Sequence, residues 1–457
     1  MRVHLPPDML TLRPRLPHHP AAAARAGYVL DWLCGHPYAA GRVRWERASE
    51  SDPAVDLDLE RLTRVRPWLT QQAQGARVAN DLWLSRATPC RVRHRGTWVY
   101  GLGPRRAHGL RDETGRYAFD WVTTLFVWLS RWEERLGTQT DAAPPAAGTQ
   151  WLVRHGLERE PRADRLAAAL LQAWGLDVPS AGSRVLLTHD LDHVRLLQRS
   201  YTPLRYGLYV ARKTGRLDTL ARCLRDAARV ARREAADPYD NAAATLRGRG
   251  GVLFLLLGRH VAQDGGSDRT DAHLQRWVDA ARTRGYRVGL HPSYTAPVHP
   301  ERLATEAERF ARLTGEAPRL SRQHFLRWHW SRSPADLDAL GVAADFTLGY
   351  RDRLGFRCGT SYPYALYDFE REAAGKLKEW PLAGMDTAWF EANAFDPVRC
   401  AADWADFARV NARDADLVLN VHNSSLYLAQ FAGIDLDAWF RWAAAHEPAP
   451  YLQHVDG

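Results

Sequence analysis

Short apolar runs alternate with amphipathic segments along the chain from position 184 onward. Each run ends in polar residues, and the seven runs span 184–190, 250–260, 287–294, 317–328, 342–350, 378–386 and 416–425. The segments between them repeat apolar residues at three- and four-residue spacings, which is typical of amphipathic helices. Strands that alternate with helices indicate a parallel sheet covered by helices. About seven such repeats favour a barrel over an open sheet, so the sequence predicts an α/β fold of the (β/α)7 barrel type.

The first 180 residues lack this rhythm and mix short strand-like runs with helix-like ones. A segment rich in small residues and proline, 137–150, is typical of a loop or linker. At 457 residues the chain is too long for one ordinary domain. We therefore expect a smaller mixed α/β domain of unknown role over 1–180, followed by the barrel over 181–457.

Composition narrows the classes of function. The formal net charge is +9, but only three of the 62 basic residues are lysine. An excess this thin, carried almost wholly by arginine, fits a GC-rich genome better than a phosphate-binding surface, so no nucleic-acid partner is expected. The five cysteines are odd in number and show no CxxC spacing, which argues against a disulfide framework and against a cysteine-based zinc site.

The sequence also bears on location. No stretch approaches the roughly 20 apolar residues that a membrane-spanning helix needs. The N-terminal residues have no apolar core like that of a signal peptide. A cytoplasmic location is therefore expected.

One segment departs from the even distribution of charge. Arg195–Arg233 holds eleven basic residues against three acidic ones, counting the adjoining Glu234. Much of this segment has a helical pattern, and one interpretation is a solvated helix face. The other is contact with an anionic partner, such as a membrane surface or a lipid-linked phosphate.

Polar residues of one kind recur at the ends of the predicted strands. A (β/α) barrel places its active-site groups at the carboxyl ends of its strands, where the βα loops gather. Here the strands end in THDLDH, GRH, HPSY, RQHFLR, DFTLGY and VHNSS, so histidine recurs at five of about seven ends. A single histidine is more often structural, but five at one position favour an active site at the barrel mouth.

Five motifs in this order resemble the polysaccharide deacetylase family, also called the NodB-homology or carbohydrate esterase family 4. They are THDxDH, GLHPSY, RQHxLR, GFRxGTS and HNSS, at Thr188–His193, Gly289–Tyr294, Arg322–Arg327, Gly355–Ser361 and His422–Ser425. The resemblance covers roughly Arg184 to the C-terminus. It implies a distorted (β/α)7 barrel, a bound divalent metal and hydrolysis of N- or O-acetyl groups from sugars. Phe119–Arg135 resembles an uncharacterised domain often found ahead of such barrels.

The resemblance also implies catalytic roles. Asp190 matches the general base of the first motif, and Arg322 matches the arginine that orients this base. His422 matches the histidine that acts as general acid. An ionised carboxylate can take a proton from water, and an imidazole can protonate a leaving amine or alkoxide.

The implied metal ligands are less complete. Asp192 matches the metal-binding aspartate, and His291 matches the first histidine of the family's His-x-x-x-His pair. Thr295 stands where the second histidine is expected, so we expect His324 to be the substitute. Weaker candidates are His299, His189 and His193. A mixed carboxylate and imidazole site suits zinc, with cobalt, nickel or iron as alternatives.

Substrate contacts are expected beside this site. A backbone N–H near Ser293 is a candidate donor to the tetrahedral oxyanion. Arg327 and Arg357 belong to two of the motifs and are further candidates for binding substrate.

The sequence thus predicts a metal-dependent hydrolase that removes acetyl groups from a saccharide or a saccharide precursor, including a lipid-linked sugar. One alternative is another hydrolase of C–N bonds on the same barrel. The second is a non-catalytic saccharide- or partner-binding protein that has lost its metal. Thr295 keeps this second alternative open, whereas the four residues that match the family argue against it: Asp190, Asp192, His291 and His422.

Overall fold

The computed structural model describes residues 9–48, 57–58, 88–102, 109–111, 117–135, 141–178, 180, 182–195, 202–248, 250–265 and 270–448. The chain divides into two compact units. The first unit comprises Met1–Gln139, Pro145–Ala181 and Cys358–Lys378, and the second comprises Thr140–Pro144, Gly182–Arg357 and Glu379–Gly457. The domains expected over 1–180 and 181–457 stay a prediction.

The secondary structure is mixed. The strands in the described ranges are β1 (Leu10–Leu12), β2 (Pro14–Arg15), β3 (Val43–Trp45), β4 (Leu57–Asp58), β5 (Pro89–His94), β6 (Thr97–Leu102), β7 (Arg184–Leu191), β8 (Gly251–Leu256), β9 (Tyr286–His291), β10 (Leu320–Ser321), β11 (Ala344–Asp345), β12 (Tyr364–Asp368), β13 (Ala373–Glu379), β14 (Leu382–Met385), β15 (Asp416–His422) and β16 (Glu447–Pro448).

The α-helices in the same ranges are α1 (Pro20–Gly35), α2 (Trp121–Leu129), α3 (Trp132–Arg135), α4 (Trp151–Arg154), α5 (Arg162–Ala173), α6 (Thr202–Thr214), α7 (Asp218–Ala231), α8 (Ala242–Thr245), α9 (Asp271–Thr283), α10 (Pro300–Thr314), α11 (Ser333–Ala339), α12 (Asp386–Ala392), α13 (Pro397–Asn411), α14 (Asn423–Ala432) and α15 (Asp437–Ala445). Short 3₁₀ turns lie at Ala147–Thr149, Ala262–Asp264, Ala296–Val298 and His324–Leu326. None of the described helices has the length and apolar character needed to cross a membrane.

The first unit is built around α1 and α2. Helix α2 is buried along its whole length, and its N-cap Asp120 accepts a hydrogen bond from the N–H of Thr123. Tyr28 of α1 meets Phe126 of α2 edge to face, with ring centroids 6.2 Å apart. Strands β5 and β6 add an antiparallel hairpin.

Residues 358–378 join this first unit through a buried carboxylate. Asp164 of α5 accepts hydrogen bonds from Thr360 Oγ1 at 2.5 Å and from the N–H of Ser361 at 2.8 Å. Tyr362 and Tyr364, which follow, are both buried. The GTS part of the GFRxGTS motif therefore helps to hold the first unit together.

The second unit supplies seven parallel strands to a curled sheet, in the order β11-β10-β9-β8-β7-β15-β14, and β16 also pairs with β7. These strands coincide with the seven predicted apolar runs, so the predicted α/β class with a parallel sheet is confirmed. Strands β8 and β15 are buried at every position, as expected for parallel strands covered on both faces. A closed (β/α)7 barrel of the NodB-homology type stays a prediction.

Alternating side chains supply both layers of the core in this second unit. On β7, Leu186 packs with Phe254 and Phe346 on one face, while Leu187 packs with the helices on the other. The helical layer includes Trp439 of α15. This alternation decides which polar residues at the strand ends can meet.

Candidate metal centre and catalytic site

The second unit gathers polar side chains at the carboxyl edge of its sheet. Along β7, Thr188 and Asp190 continue the face of Leu186, whereas His189 falls on the opposite face. The parallel register sets His422, the last residue of β15, opposite Asp190. Strand ends that share one edge of a parallel sheet bring their side chains together.

Asp192, His291 and His324 form a cluster of three potential metal ligands, and no other such cluster occurs within the described ranges. One ligand atom from each residue lies within 4.8 Å of the others. His291 Nε2 is 3.4 Å from Asp192 Oδ1, and His324 Nε2 is 3.8 Å from Asp192 Oδ2. Metal–ligand bonds of roughly 2.0–2.2 Å place ligand atoms at separations of this order.

A backbone contact fixes the orientation of His291. Its Nδ1 donates to the carbonyl oxygen of Arg322 at 2.5 Å, so its Nε2 carries the lone pair. This Nε2 is buried and makes no hydrogen bond with any residue that the structure describes. An imidazole held in this way presents Nε2 to a metal ion.

His324 reaches the cluster through the short turn after β10. Its N–H donates to the carbonyl oxygen of Pro292 at 3.1 Å, one residue beyond His291. Phe325 and Leu326 then adopt positive φ angles of 59° and 51°. Such backbone strain in non-glycine residues persists only where the surroundings impose it, and it concentrates at functional sites.

Asp264 is the buried partner of His324. Its Oδ1 lies 3.4 Å from His324 Nδ1, which leaves His324 Nε2 on the side of Asp192. Burial alone would raise the pKa of Asp264, but His324 and three backbone N–H donors lower it below its usual range. Those donors are the N–H groups of Tyr294, His260 and Val261.

The cluster has a negative field that suits a cation. Burial would lower the pKa of His324, but the carboxylates of Asp192 and Asp264 outweigh it and raise this pKa. One carboxylate and two imidazoles are a common donor set for catalytic zinc, and cobalt, nickel and iron accept it too. The donor set fits a divalent metal ion, as does the His291 Nε2, which has no hydrogen-bond partner among the described residues. Binding and the identity of the ion stay predictions.

Thr295 has a different partner from the one its sequence position implies. Arg302 Nη1 donates to Thr295 Oγ1, and His324 supplies the third candidate ligand instead. The geometry thus leaves the cluster with three donors despite the departure from His-x-x-x-His.

The weaker histidine candidates contact other groups. His299 faces Glu301, with Nδ1 3.0 Å from Oε1, at the surface. His189 stacks on Phe440 on the helical side of the sheet, and burial lowers its pKa to about 4. His193 stacks on Tyr239.

Asp190 is buried and held by two donors. Arg322 Nη1 donates to Oδ1 at 2.9 Å, and Asn420 Nδ2 donates to Oδ2 at 2.8 Å. Burial would raise the pKa of Asp190, but the charges of Arg322 and two neighbouring histidines lower it. Asp190 is therefore ionised at neutral pH, which is the form that a general base requires.

His422 faces the same carboxylates from β15. Its Nε2 lies 3.7 Å from Asp190 Oδ2 and 3.7 Å from Asp192 Oδ2. Its Nδ1 donates to Asp386 Oδ1 at 2.6 Å, and its backbone N–H donates to Asp386 Oδ2 at 2.7 Å. Burial would lower the pKa of His422, but Asp386, Asp192 and Asp190 raise it to about 10. The imidazole is thus kept protonated, as a general acid must be.

The three expected substrate contacts are all buried. The N–H of Ser293 donates to Glu306 Oε2 at 2.8 Å, so this N–H already has an acceptor. Arg327 donates to Asp141 and lies 4.0 Å above the ring of Tyr294. Arg357 donates to the carbonyl oxygen of Gly349 at 3.2 Å. Their roles in binding substrate stay predictions.

Sequence reasoning missed three residues of the site. Asn420 lies two positions before His422, so period-two alternation along β15 could have identified it. Asp386 follows the sixth predicted strand, and its place at a strand end was a usable signal. Asp264 lies in a turn without periodicity, and no sequence signal pointed to it.

Comparisons with known proteins give only weak likenesses. No protein-family model matches the chain, and no curated protein sequence matches it. A provisionally named polysaccharide deacetylase from Mycobacterium smegmatis has 15% sequence identity and a TM-score of 0.36, with 62% of this chain and 92% of that chain covered. PuuE allantoinase has 12% identity and a TM-score of 0.34, with 63% and 95% covered. A family 4 carbohydrate esterase from Streptomyces lividans has 13% identity and a TM-score of 0.24, with 56% and 88% covered. Likenesses this weak identify neither a family nor an activity.

Proposed function

We propose that this chain is a metal-dependent hydrolase that releases acetate from an acetylated saccharide or saccharide precursor. One observation carries the proposal: a three-donor cluster lies within 4 Å of a base and an acid, and neighbouring charges keep the base ionised and the acid protonated. The base is Asp190, ionised beside Arg322, and the acid is His422, protonated beside Asp386. Pairs of titratable groups whose pKa values are pushed apart are typical of acid–base catalysis.

Asp192, His291 and His324 would hold the metal. A divalent ion there would polarise the acetyl carbonyl and lower the pKa of water toward about 7. Asp190 takes a proton from the attacking water at a carboxylate oxygen. Arg322 and Asn420 keep this carboxylate oriented and ionised, which is the condition for the transfer.

His422 completes the reaction. As the bond between the carbonyl carbon and the amide nitrogen or ester oxygen breaks, His422 Nε2 gives its proton to the leaving atom. Asp386 holds the opposite ring nitrogen and stabilises the imidazolium, much as a carboxylate orients histidine in other hydrolases. The oxygen of the water ends in acetate, and the proton from His422 ends on the free amine or alcohol.

The nature of the substrate is supported by the five sequence motifs rather than by the geometry. Their resemblance to polysaccharide deacetylases favours an acetylated saccharide over other C–N substrates. A cytoplasmic location, which forms part of the proposal, favours a sugar precursor or a lipid-linked sugar over a mature wall polymer.

The test is acetate release by the purified chain loaded with zinc, cobalt or nickel. N-acetylated and O-acetylated oligosaccharides are offered in parallel, and Asp190→Asn is the inactive reference. We expect release with at least one metal and one substrate class, and at least about 10² less from the reference. Metal binding without release from either class, but with cleavage of a linear amide, would assign the chain to the other C–N hydrolases. Failure to bind any of the three metals would favour the second alternative, a non-catalytic saccharide- or partner-binding protein.

A further inference from the structure

The basic segment of the sequence forms a helical hairpin in the second unit. Helices α6 and α7 are inserted between β7 and β8 and pack closely on each other. A Cβ at Gly207 of α6 would lie 2.8 Å from Leu220 Cδ1 of α7 and 3.2 Å from Cys223 Cβ. The inward faces of the hairpin are thus occupied, and its outward faces decide what it contacts.

The outward faces are unusually apolar. Of the eight large apolar side chains exposed within the described residues, five lie on this hairpin. They are Leu204, Leu208, Tyr209, Leu217 and Leu224. Leu217, at the tip between the helices, is 84% exposed. A merely solvated helix face carries polar residues at such positions, so this interpretation does not account for the hairpin.

The same faces are strongly basic. Positions 202–233 hold nine basic residues and two acidic ones, a net charge of +7 against +9 for the whole chain. Four exposed arginines of the hairpin make no ion pair with any residue in the described part of the chain. They are Arg212, Arg225, Arg229 and Arg232. Unpaired positive charge among exposed leucines is the composition of a helix that lies at an anionic membrane surface.

We propose that the α6–α7 hairpin docks on a membrane that contains anionic lipids. The leucines and Tyr209 enter the boundary between headgroups and acyl chains, and the arginines bind lipid phosphates. Arginine stems are long enough to bury their methylenes while the guanidinium stays at headgroup level. This proposal is independent of the hydrolysis proposed above.

The hairpin is anchored close to the candidate catalytic site. Lys213 of α6 pairs with Glu391 of α12 at 2.9 Å, and α12 begins at Asp386, the partner of His422. Tyr206 of α6 stacks on Tyr427 of α14, with ring centroids 5.8 Å apart, and α14 follows His422 directly. A membrane contacted by the hairpin would therefore lie near the carboxyl edge of the sheet, where a lipid-linked sugar could be reached.

The experiment is vesicle flotation with the full-length chain. Vesicles of phosphatidylcholine alone are compared with vesicles that also contain phosphatidylglycerol. A hairpin variant combines Leu217→Ser, Arg225→Gln and Arg229→Gln. The matched control combines Val398→Ser, Arg399→Gln and Arg409→Gln on α13, where Val398 is 76% exposed and the same number of charges is removed.

We expect the wild type and the α13 variant to float with the anionic vesicles and not with phosphatidylcholine alone. The hairpin variant should bind at least about tenfold more weakly, because it loses two charges and an inserted side chain. Thermal melting of both variants checks that each is folded. Absence of flotation at low salt, or an equal loss in the α13 variant, would overturn the proposal. So would a dimer in solution that the hairpin variant dissociates, since the face would then belong to a second copy.

Discussion

Two pairs of carboxylates lie at or beside strand ends of the second unit, and their pKa values are shifted in opposite directions. Asp190 lies at the end of β7 and Asp192 directly follows it, whereas Asp345 ends β11 and Glu379 ends β13. The pKa of each acid in the first pair is lowered, and the pKa of each acid in the second pair is raised. All four are carboxylic acids at or beside a strand end, so the cause lies in the surroundings.

The first pair has cations and imidazoles on several sides. Burial would raise both pKa values, but Arg322 pairs with Asp190 at 2.9 Å and His324 approaches Asp192. For Asp192, the imidazoles of His291, His324 and His422 together outweigh burial.

The second pair has hydrogen bonds and only weaker effects of positive charge, from Arg322 on Asp345 and from Arg357 on Glu379. Asp345 Oδ1 accepts from the N–H of Thr347 at 2.9 Å, and Glu379 Oε1 accepts from the N–H of Leu348 at 2.8 Å. Neither acid forms an ion pair with a described residue. Burial therefore dominates and raises the pKa of Asp345 to about 6, and burial with the nearby charge of Asp345 raises that of Glu379 well above its usual value.

The comparison shows what separates a candidate site from a buried polar contact. A carboxylate at the carboxyl edge becomes a ligand or a base only where enough positive or neutral nitrogen donors face it. Asp190 and Asp192 meet this condition, and Asp345 and Glu379 do not. Substitutions in the two pairs should accordingly have different kinds of effect.

The largest expected effect is loss of metal uptake. Asp192→Ala and His291→Ala each remove one of three donors, so neither variant should retain a tightly bound divalent ion. Glu379→Gln, the matched change in the second pair, should bind one ion per chain as the wild type does. Elemental analysis after dialysis measures the metal content. Full occupancy in both alanine variants would show that the ion binds elsewhere in the chain.

The next effect is on turnover. Asp190→Asn keeps the shape of the side chain, and its carbonyl oxygen can still accept from Arg322, but it removes the base, so turnover should fall by about 10² or more. Metal content should stay at the wild-type level. Asp345→Asn should leave turnover close to wild type. Equal activity of Asp190→Asn and the wild type would remove Asp190 from the mechanism.

The sequence predicted those parts of the molecule that depend on local pattern. The seven strands follow from apolar runs, and Asp190 and Asp192 belong to one contiguous motif at the end of β7, separated only by Leu191. The role of Asp264 could not be predicted in this way, because its contact with His324 spans sixty positions and links a turn to another turn.

Local sequence pattern also could not predict which segments make up each of the two units. Residues 358–378 belong to the first unit through contacts such as that between Asp164 and Ser361, which lie 197 positions apart. Hydrophobic periodicity carries no information about which distant segments meet. Propensity therefore predicts the elements, whereas tertiary contacts decide their grouping.

A smaller effect on metal affinity is expected from substitution of Asp264, the hydrogen-bond partner of the candidate ligand His324. Asp264→Asn weakens the hold on His324 Nδ1, and loss of such an outer partner typically lowers metal affinity by about 10–100-fold. Competition with a chromogenic chelator measures the affinity, and the visible spectrum of the cobalt-loaded protein reports a change in ligand geometry. Asp279→Asn on α9, a surface position, is the control. An unchanged affinity and spectrum would show that Asp264 does not position His324.

The smallest effect concerns stability and comes from the second pair. The folded-state pKa of Asp345 is about 6, above the usual value of 3.8, so the folded protein binds the proton more tightly than the unfolded chain. The stabilisation from this proton is complete below pH 4 and is lost as the pH rises through about 6. A shift of this size corresponds to about 2–3 kcal/mol.

Asp345→Asn cannot ionise, so urea denaturation should show its unfolding free energy rising relative to wild type by up to this amount between pH 4 and pH 8. A difference between the two proteins that does not vary with pH would mean that Asp345 is ionised in the folded protein throughout this range. The contrast between the two carboxylate pairs would then rest on metal binding and turnover alone.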